Sequence, residues 1–163
     1  MGIFRKLTSA AHNRTTYRAG LLQAKAYRIL KQRTTELLAP AGISTIEWAF
    51  LGLLIDNDSL RARETAYELG VEPPFVTVMA AKLSKKGFVI ITKDADDSRA
   101  KNISLSEVGR QFVTTTEIEL RSGMRGVIAG ANPGDLLGYL AILECIVENG
   151  SKKTNKTKTN KYK

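Results

Sequence analysis

One stretch, from Ser59 to Leu105, limits what this chain can fold into more than any other. Leu60 to Gly70 has the length of a short helix, and Gly70 stands where a left-handed turn would end it, a conformation that glycine adopts without steric cost. A second helix is predicted to start near Pro73 and Pro74, since proline lacks only the N–H that a first helical turn leaves unpaired anyway. Within it Val76, Met79, Ala80 and Leu83 fall at i, i+3, i+4 and i+7, so one face is expected to be buried. The residues left outside are Phe75, Thr77, Val78, Ala81, Lys82, Lys85 and Lys86. Gly87 stops that helix. Phe88 to Ile91 is rich in β-formers, Asp94 to Ser98 is a turn cluster, and Arg99 to Leu105 alternates again, which together predict a hairpin with a charged tip.

Helix, tight turn, helix and hairpin in that order read as a winged helix-turn-helix, whose second helix is shaped to enter a DNA groove. Charge agrees with an anionic partner. The 163 residues carry a net charge of +9, with no acid before Glu36 and none from Ser151 onward, so the excess lies in the two ends. A local set of cations, Arg61, Arg63, Lys82, Lys85, Lys86, Lys93, Arg99 and Lys101, falls in the opening stretch itself. Nucleic acid is the natural partner of such a surface.

The flanks divide into helices that need covering. Residues 1–13 are expected to be a flexible N-terminus. From Arg14 to Leu38 the apolar or small residues Tyr17, Leu21, Ala24, Tyr27, Leu30, Thr34 and Leu37 recur at spacings of three and four, the pattern of a long amphipathic helix whose stripe wants a partner. Pro40 and Gly42 end it. Ser44-Thr-Ile-Glu47 is a capping box. The helix behind it, Ile46 to Ile55, is apolar nearly all round and belongs in the middle of the fold. Asp56-Asn-Asp58 is a polar turn, and Ser59 is placed to cap the next helix.

After the hairpin, Ser106, Val108, Phe112, Thr116, Leu120 and Met124 mark another long helix, expected to fray around Gly123 and Gly126. Asn132-Pro-Gly-Asp135 supplies a cap, a proline and an acid for a last helix. That helix carries Leu136, Leu137, Leu140, Leu143 and Val147 and is expected to end at Gly150. Residues 151–163 form a basic tail whose composition predicts disorder.

With 43% apolar residues the chain can bury one core. The single cysteine, Cys145, rules out an internal disulfide and fits a reducing compartment. Its apolar neighbours Leu143, Ile146 and Val147 predict a buried, inert thiol. The longest apolar run, Trp48 to Ile55, has eight residues, against the roughly 20 a membrane helix needs, so no membrane partner is expected. His12 is the only histidine, which leaves no histidine-based triad and no metal site to assemble. Nor does a glycine-rich phosphate loop occur. No catalytic residue, metal or cofactor is therefore assigned, and a cytoplasmic binding protein is expected.

Four segments together resemble one family. Glu64 to Gly70, Leu83 to Val89, Asp94 to Ala100 and Ile103 to Arg110 are similar to the corresponding parts of the MarR family of transcription regulators, over about Tyr17 to Gly150. The most specific is the acid-rich wing tip followed by Arg99 and then by Leu105-Ser106-Glu-Val-Gly109. The resemblance implies a mainly α fold with a small β-hairpin wing, a winged helix-turn-helix with long N- and C-terminal dimerisation helices. It implies a DNA-binding region at residues 44–105 inside a domain at 14–150, and dimerisation helices at 14–38 and 106–150. Dimer contacts then fall to Tyr17, Leu21, Leu30, Leu136, Leu140, Leu143 and Val147.

By the same resemblance the protein is a homodimeric repressor of bacterial or archaeal type, nucleoid-associated, on a palindromic operator of double-stranded DNA. Arg61, Arg63, Phe75, Thr77, Val78, Lys82, Lys85, Lys86, Arg99 and Lys101 are the residues assigned to DNA, with Arg99 in a minor groove whose narrowness favours a cation. Many relatives release DNA on binding a small aromatic effector, and Trp48 and Phe112 are assigned to such a ligand. The chain departs from its relatives at the start of the recognition helix. Pro73, Pro74 and Phe75 stand where serine, arginine or threonine is common, and Val78 where arginine often is. Bidentate base reading is thereby poorly supplied, and apolar contact with thymine methyls remains open. Two further readings stay open at this point: a weakly specific architectural DNA-binding protein, and a degenerate winged helix used for protein contact.

Overall fold

The computed structural model describes the backbone of residues 10–94 and 100–159 and the side chains of 17–94 and 100–150. Six helices and three strands follow one another: α1 Ala10–Leu38, α2 Thr45–Ile55, β1 Leu60–Arg61, α3 Ala62–Leu69, α4 Pro73–Lys85, β2 Val89–Lys93, β3 Lys101–Leu105, α5 Glu107–Met124 and α6 Pro133–Thr159. The fold is mainly α with a small antiparallel sheet, as the sequence predicts. Its packing divides at Met124, with α1 to α5 in one compact unit and the chain from Arg125 onward in another.

The first unit closes around α2. Phe50, Leu51 and Leu54 are fully buried, and around them lie Leu38 at the end of α1, Ala66 of α3, and Val76, Met79, Ala80 and Leu83 of α4. Val89 and Ile103 from the hairpin and Val113 and Leu120 from α5 complete that core. The stripe of α4 is thus buried at the four positions its spacing predicts. The start of α2 is fixed by the expected capping box: Glu47 N–H donates to Ser44 Oγ at 3.3 Å, and Ser44 N–H donates to Glu47 Oε2 at 2.7 Å.

The start of α3 differs from the sequence reading. Leu60 and Arg61, expected to open a helix capped by Ser59, form β1, pairing with Ile103 and Asn102 of β3 in a sheet of order β1-β3-β2. α3 starts two residues later, and Arg61 N–H donates to Glu64 Oε2 at 2.7 Å. A two-residue strand has no periodicity of its own and is defined only by its distant partner.

The buried face of α5 runs through Gly109, Val113, Thr116 and Leu120, while Val108 is exposed. Close approach sets this phase: a Cβ on Gly109 would lie 2.0 Å from the Phe88 carbonyl oxygen. Ser106 joins the same junction, donating from Oγ to the Gly87 carbonyl and accepting from Gly109 N–H at 2.9 Å. The Leu-Ser-x-x-Gly pattern noted in the sequence is the cap and close-packing point where the hairpin meets α5.

α1 begins at Ala10, within the segment expected to be flexible. Its last residue, Leu38, is fully buried, whereas Tyr17 and Tyr27 are 75% and 62% exposed and Leu21 is also exposed. Leu30, Thr34 and Leu37 are half-buried. Only the C-terminal end of the stripe is therefore covered by its own unit.

In the second unit Asn132 and Asp135 cap α6 reciprocally. Asp135 N–H donates to Asn132 Oδ1 at 2.9 Å, and Asn132 Nδ2 donates to Asp135 Oδ2 at 2.6 Å. α6 passes Gly150, the expected end, and continues to Thr159. A lone glycine costs a helix about 1 kcal/mol relative to alanine, which weakens the helix without stopping it. Leu136, Leu137, Leu140 and Val147 are exposed and Leu143 is half-buried. Cys145, expected to be buried, is exposed, and its Sγ accepts from Asn149 Nδ2 at 3.2 Å.

Candidate nucleic-acid interface

The outward face of α4 is set by two glycine turns. Gly70 sits at φ 65°, and the next residue, Val71, donates its N–H to Ala66 O at 2.9 Å, ending α3 sharply enough for α4 to start at Pro73. At the other end Gly87 sits at φ 78°, its N–H donating to Ser84 O and that of Phe88 to Leu83 O. The chain turns there into β2. The hairpin then pairs in register from Val89 with Leu105 to Lys93 with Lys101.

Three of the assigned cations are held within the protein. Arg61 donates from Nε and Nη2 to Asp94 Oδ2 at 2.9 and 2.7 Å, tying the start of α3 to the end of β2 over a buried carboxylate. Lys82 Nζ lies 2.7 Å from Glu47 Oε1, joining α4 to the cap of α2. Burial pushes the Glu47 carboxyl up, but the Lys82 ammonium and the Ser44 backbone and hydroxyl donors together outweigh it and hold the carboxyl below its ordinary value. Lys86 Nζ donates to the carbonyls of Ala41 and Gly42 at 3.0 and 2.8 Å, fastening the end of α4 to the turn after α1.

Arg63, Lys85 and Lys101 are exposed and make no ion pair among the described residues. Arg63 and Lys101, with Arg61, Ala62, Pro73, Thr77 and Ala100, line a cleft of about 450 Å³ between the wing and the starts of α3 and α4. Lys93 and Lys101, both exposed, stand directly opposite each other across the hairpin. Like charges so placed repel, and an anion between them relieves the repulsion. Between the cations the α4 surface is apolar: Phe75 is 48% and Val78 71% exposed. Thr77 lies among them and donates its hydroxyl proton to Pro73 O at 3.2 Å. Arg99, the assigned wing residue, lies outside the described residues.

A second cleft, of about 520 Å³, opens between α2 and α5. It is walled by Trp48, Ala49, Gly52, Ile55 and Asp56 from one side and by Val113, Thr114, Glu117, Ile118 and Arg121 from the other. Trp48, assigned to a ligand by resemblance, stands in this wall. Phe112 instead stacks on Phe88 at 4.5 Å and meets Trp48 edge-on at 6.4 Å, which places it behind the cleft rather than in its wall. Sequence reasoning did not single out Arg121, which pairs with Glu117 at 3.1 Å on the cleft wall; the i, i+4 spacing of that pair is the available signal. Nor did it foresee the Lys82–Glu47 link, which spans two helices and leaves no local pattern.

No family model matches the chain. The HTH-type transcriptional regulator FarR of Neisseria gonorrhoeae is 27% identical over 93 residues, which span 57% of this chain and 62% of that protein. A MarR-family transcriptional regulator from Rhodococcus sp. RHA1 superposes with a TM-score of 0.73 at 19% identity, over 80% of this chain and 93% of the other. CouR from Rhodococcus jostii RHA1, solved with p-coumaroyl-CoA, gives 0.71 at 19% identity over 78% and 90%. BpsR from Bordetella bronchiseptica, whose DNA binding is regulated by 6-hydroxynicotinic acid, gives 0.69 at 16% identity over 78% and 91%. The chain has the fold of the MarR-family winged helix-turn-helix regulators.

Proposed function

We propose that this chain is a sequence-specific, double-stranded DNA-binding transcription regulator that acts as a homodimeric repressor in the cytoplasm. One observation carries the reading: α4 is anchored through Lys82 and Lys86 to the body of the unit, while Arg63, Lys85, Lys93 and Lys101 are exposed, Arg63 and Lys101 in the cleft beside Pro73 and Thr77. Anchoring fixes the helix at one angle, and the exposed cations supply phosphate contacts. Phosphates give affinity and register, and the helix between them meets the bases. The basic residues beyond Gly150 add sequence-independent attraction.

Dimerisation through α1 and α6 is supported by the exposed Tyr17, Leu21, Leu136, Leu140 and Val147, which make large apolar faces for a single chain to leave in water. The α2–α5 cleft beside Trp48 is the proposed seat of a small aromatic effector, in keeping with the ligands of the BpsR and CouR structures. A palindromic operator follows from the two-fold symmetry of the proposed dimer. Selecting bound fragments from genomic DNA with the purified protein tests the reading, with an enriched inverted repeat as the expected result. Binding to all duplexes alike would favour the architectural alternative, which the paucity of hydrogen-bonding groups on α4 also supports. No salt-dependent duplex binding would favour a protein-interaction role.

A further inference from the structure

Resting on that reading, we infer that α4 recognises its site through the 5-methyl groups of thymine, with Phe75 and Val78 as the specificity-determining residues. A helix in the major groove can sense a base by hydrogen bonds to its edge or by apolar contact with the thymine methyl. The described side chains leave little for the first mode. Lys82 is tethered by one of its three ammonium protons to Glu47 Oε1 at 2.7 Å, and Thr77 has donated its only proton to Pro73 O and can do no more than accept. Pro73 and Pro74 occupy the first turn of α4 and have no backbone N–H to offer.

The second mode is well supplied. Pro74, Phe75, Val78 and Ala81 are exposed on successive turns of one face, and Val76, Ala80 and Leu83, on the opposite side, are buried in the core. Arg63 and Lys101 line the cleft beside Pro73 and Thr77 at one edge of this apolar strip, and the exposed Lys85 follows Ala81 one turn on, so positive charge borders it. A surface with an apolar centre and a cationic margin matches a methyl-lined groove floor between two phosphate backbones. It does not match a protein groove of ordinary composition, whose margin is of mixed charge. Each contacted methyl is about the size of one buried CH₂, which corresponds to roughly a fourfold change in affinity.

The test uses the full-length protein and a duplex enriched from a random library. Deoxyuridine replaces thymidine one position at a time, which deletes the methyl and leaves the base-pairing edges unchanged. At contacted positions we expect about a fourfold weakening per methyl for the native protein. Val78→Ala should bind the thymine duplex more weakly and lose the thymine-over-uracil difference at its own position, and Phe75→Ala should do so at another. Circular dichroism confirms that both variants fold, as exposed positions on a helix predict. Equal binding of thymine and uracil duplexes by the native protein would overturn the inference while leaving the regulator reading intact. Full retention of the difference by both variants would also overturn it. Enrichment of no sequence at all would overturn both together.

Discussion

The seam where α4 meets α2 and the rim that α4 shares with the wing are both rich in cations, and the two regions use them differently. In the seam Lys82 and Lys86, although exposed, are held by the protein itself, one by the buried Glu47 and the other by the Ala41 and Gly42 carbonyls. On the rim Arg63, Lys85 and Lys101 are exposed. All five stand in the same short basic stretch, so composition alone makes them equivalent. Their partners separate them: seam cations set the angle of the helix, and rim cations remain for an anion outside. Substitutions in the seam should therefore change stability, and those on the rim should change duplex affinity.

The largest effect is expected at Glu47, which closes the capping box of α2 and anchors Lys82 at once. Glu47→Ala keeps the Ser44 cap but leaves the Ser44 N–H and the Lys82 ammonium without their partner, so urea denaturation should show a loss of about 3 kcal/mol. Glu47→Gln keeps the size of the side chain and should lose less, about 1 to 2 kcal/mol. Both variants free Lys82. Duplex affinity at low salt should hold or rise for Glu47→Gln, which would move Lys82 from one group to the other.

The same carboxylate gives the seam a pH signature. Its pKa is lower in the folded protein than in the unfolded chain, so its contribution is complete above the ordinary carboxylate value. It is lost as the pH falls from there through the depressed value. Stability measured between neutral and acid pH should fall more steeply for the native protein than for Glu47→Gln. Parallel curves would show that the pair contributes nothing.

Lys86→Met should cost about 1 kcal/mol, since it uncaps two carbonyls at a partly exposed site. Arg63→Ala and Lys85→Ala should stay within about 0.5 kcal/mol of the native stability. Each should also reduce the slope of log K against log salt by roughly 0.9 for every phosphate contact removed. A rim variant that unfolds the protein without altering that slope would erase the distinction between the two regions.

What the sequence revealed and what it concealed follow the same division between local and distant causes. The stripe Val76, Met79, Ala80 and Leu83 was legible because helical spacing alone marks a buried face. The caps at Ser44–Glu47 and Asn132–Asp135 were legible because each closes within three residues. Features that depend on a distant partner were not. β1 exists only because β3 pairs with it, and the approach of Gly109 to Phe88, which sets the phase of α5, has no local mark. The internal partners of Arg61, Lys82 and Lys86 were hidden for the same reason, since they lie 33 to 45 residues away. Phe112 is assigned to a ligand by family resemblance, and its stacking on Phe88 could not be foreseen from spacing.

The central claim, that this fold serves a sequence-reading regulator, is tested most directly by competitive titration of the native protein. The competitors are an enriched duplex and a random one, at one fixed salt concentration near physiological. The account predicts that the enriched duplex binds at least about 10³-fold more tightly, the scale that separates regulators from general DNA binders. Equal affinity for the two duplexes, or no measurable affinity for either, would contradict it.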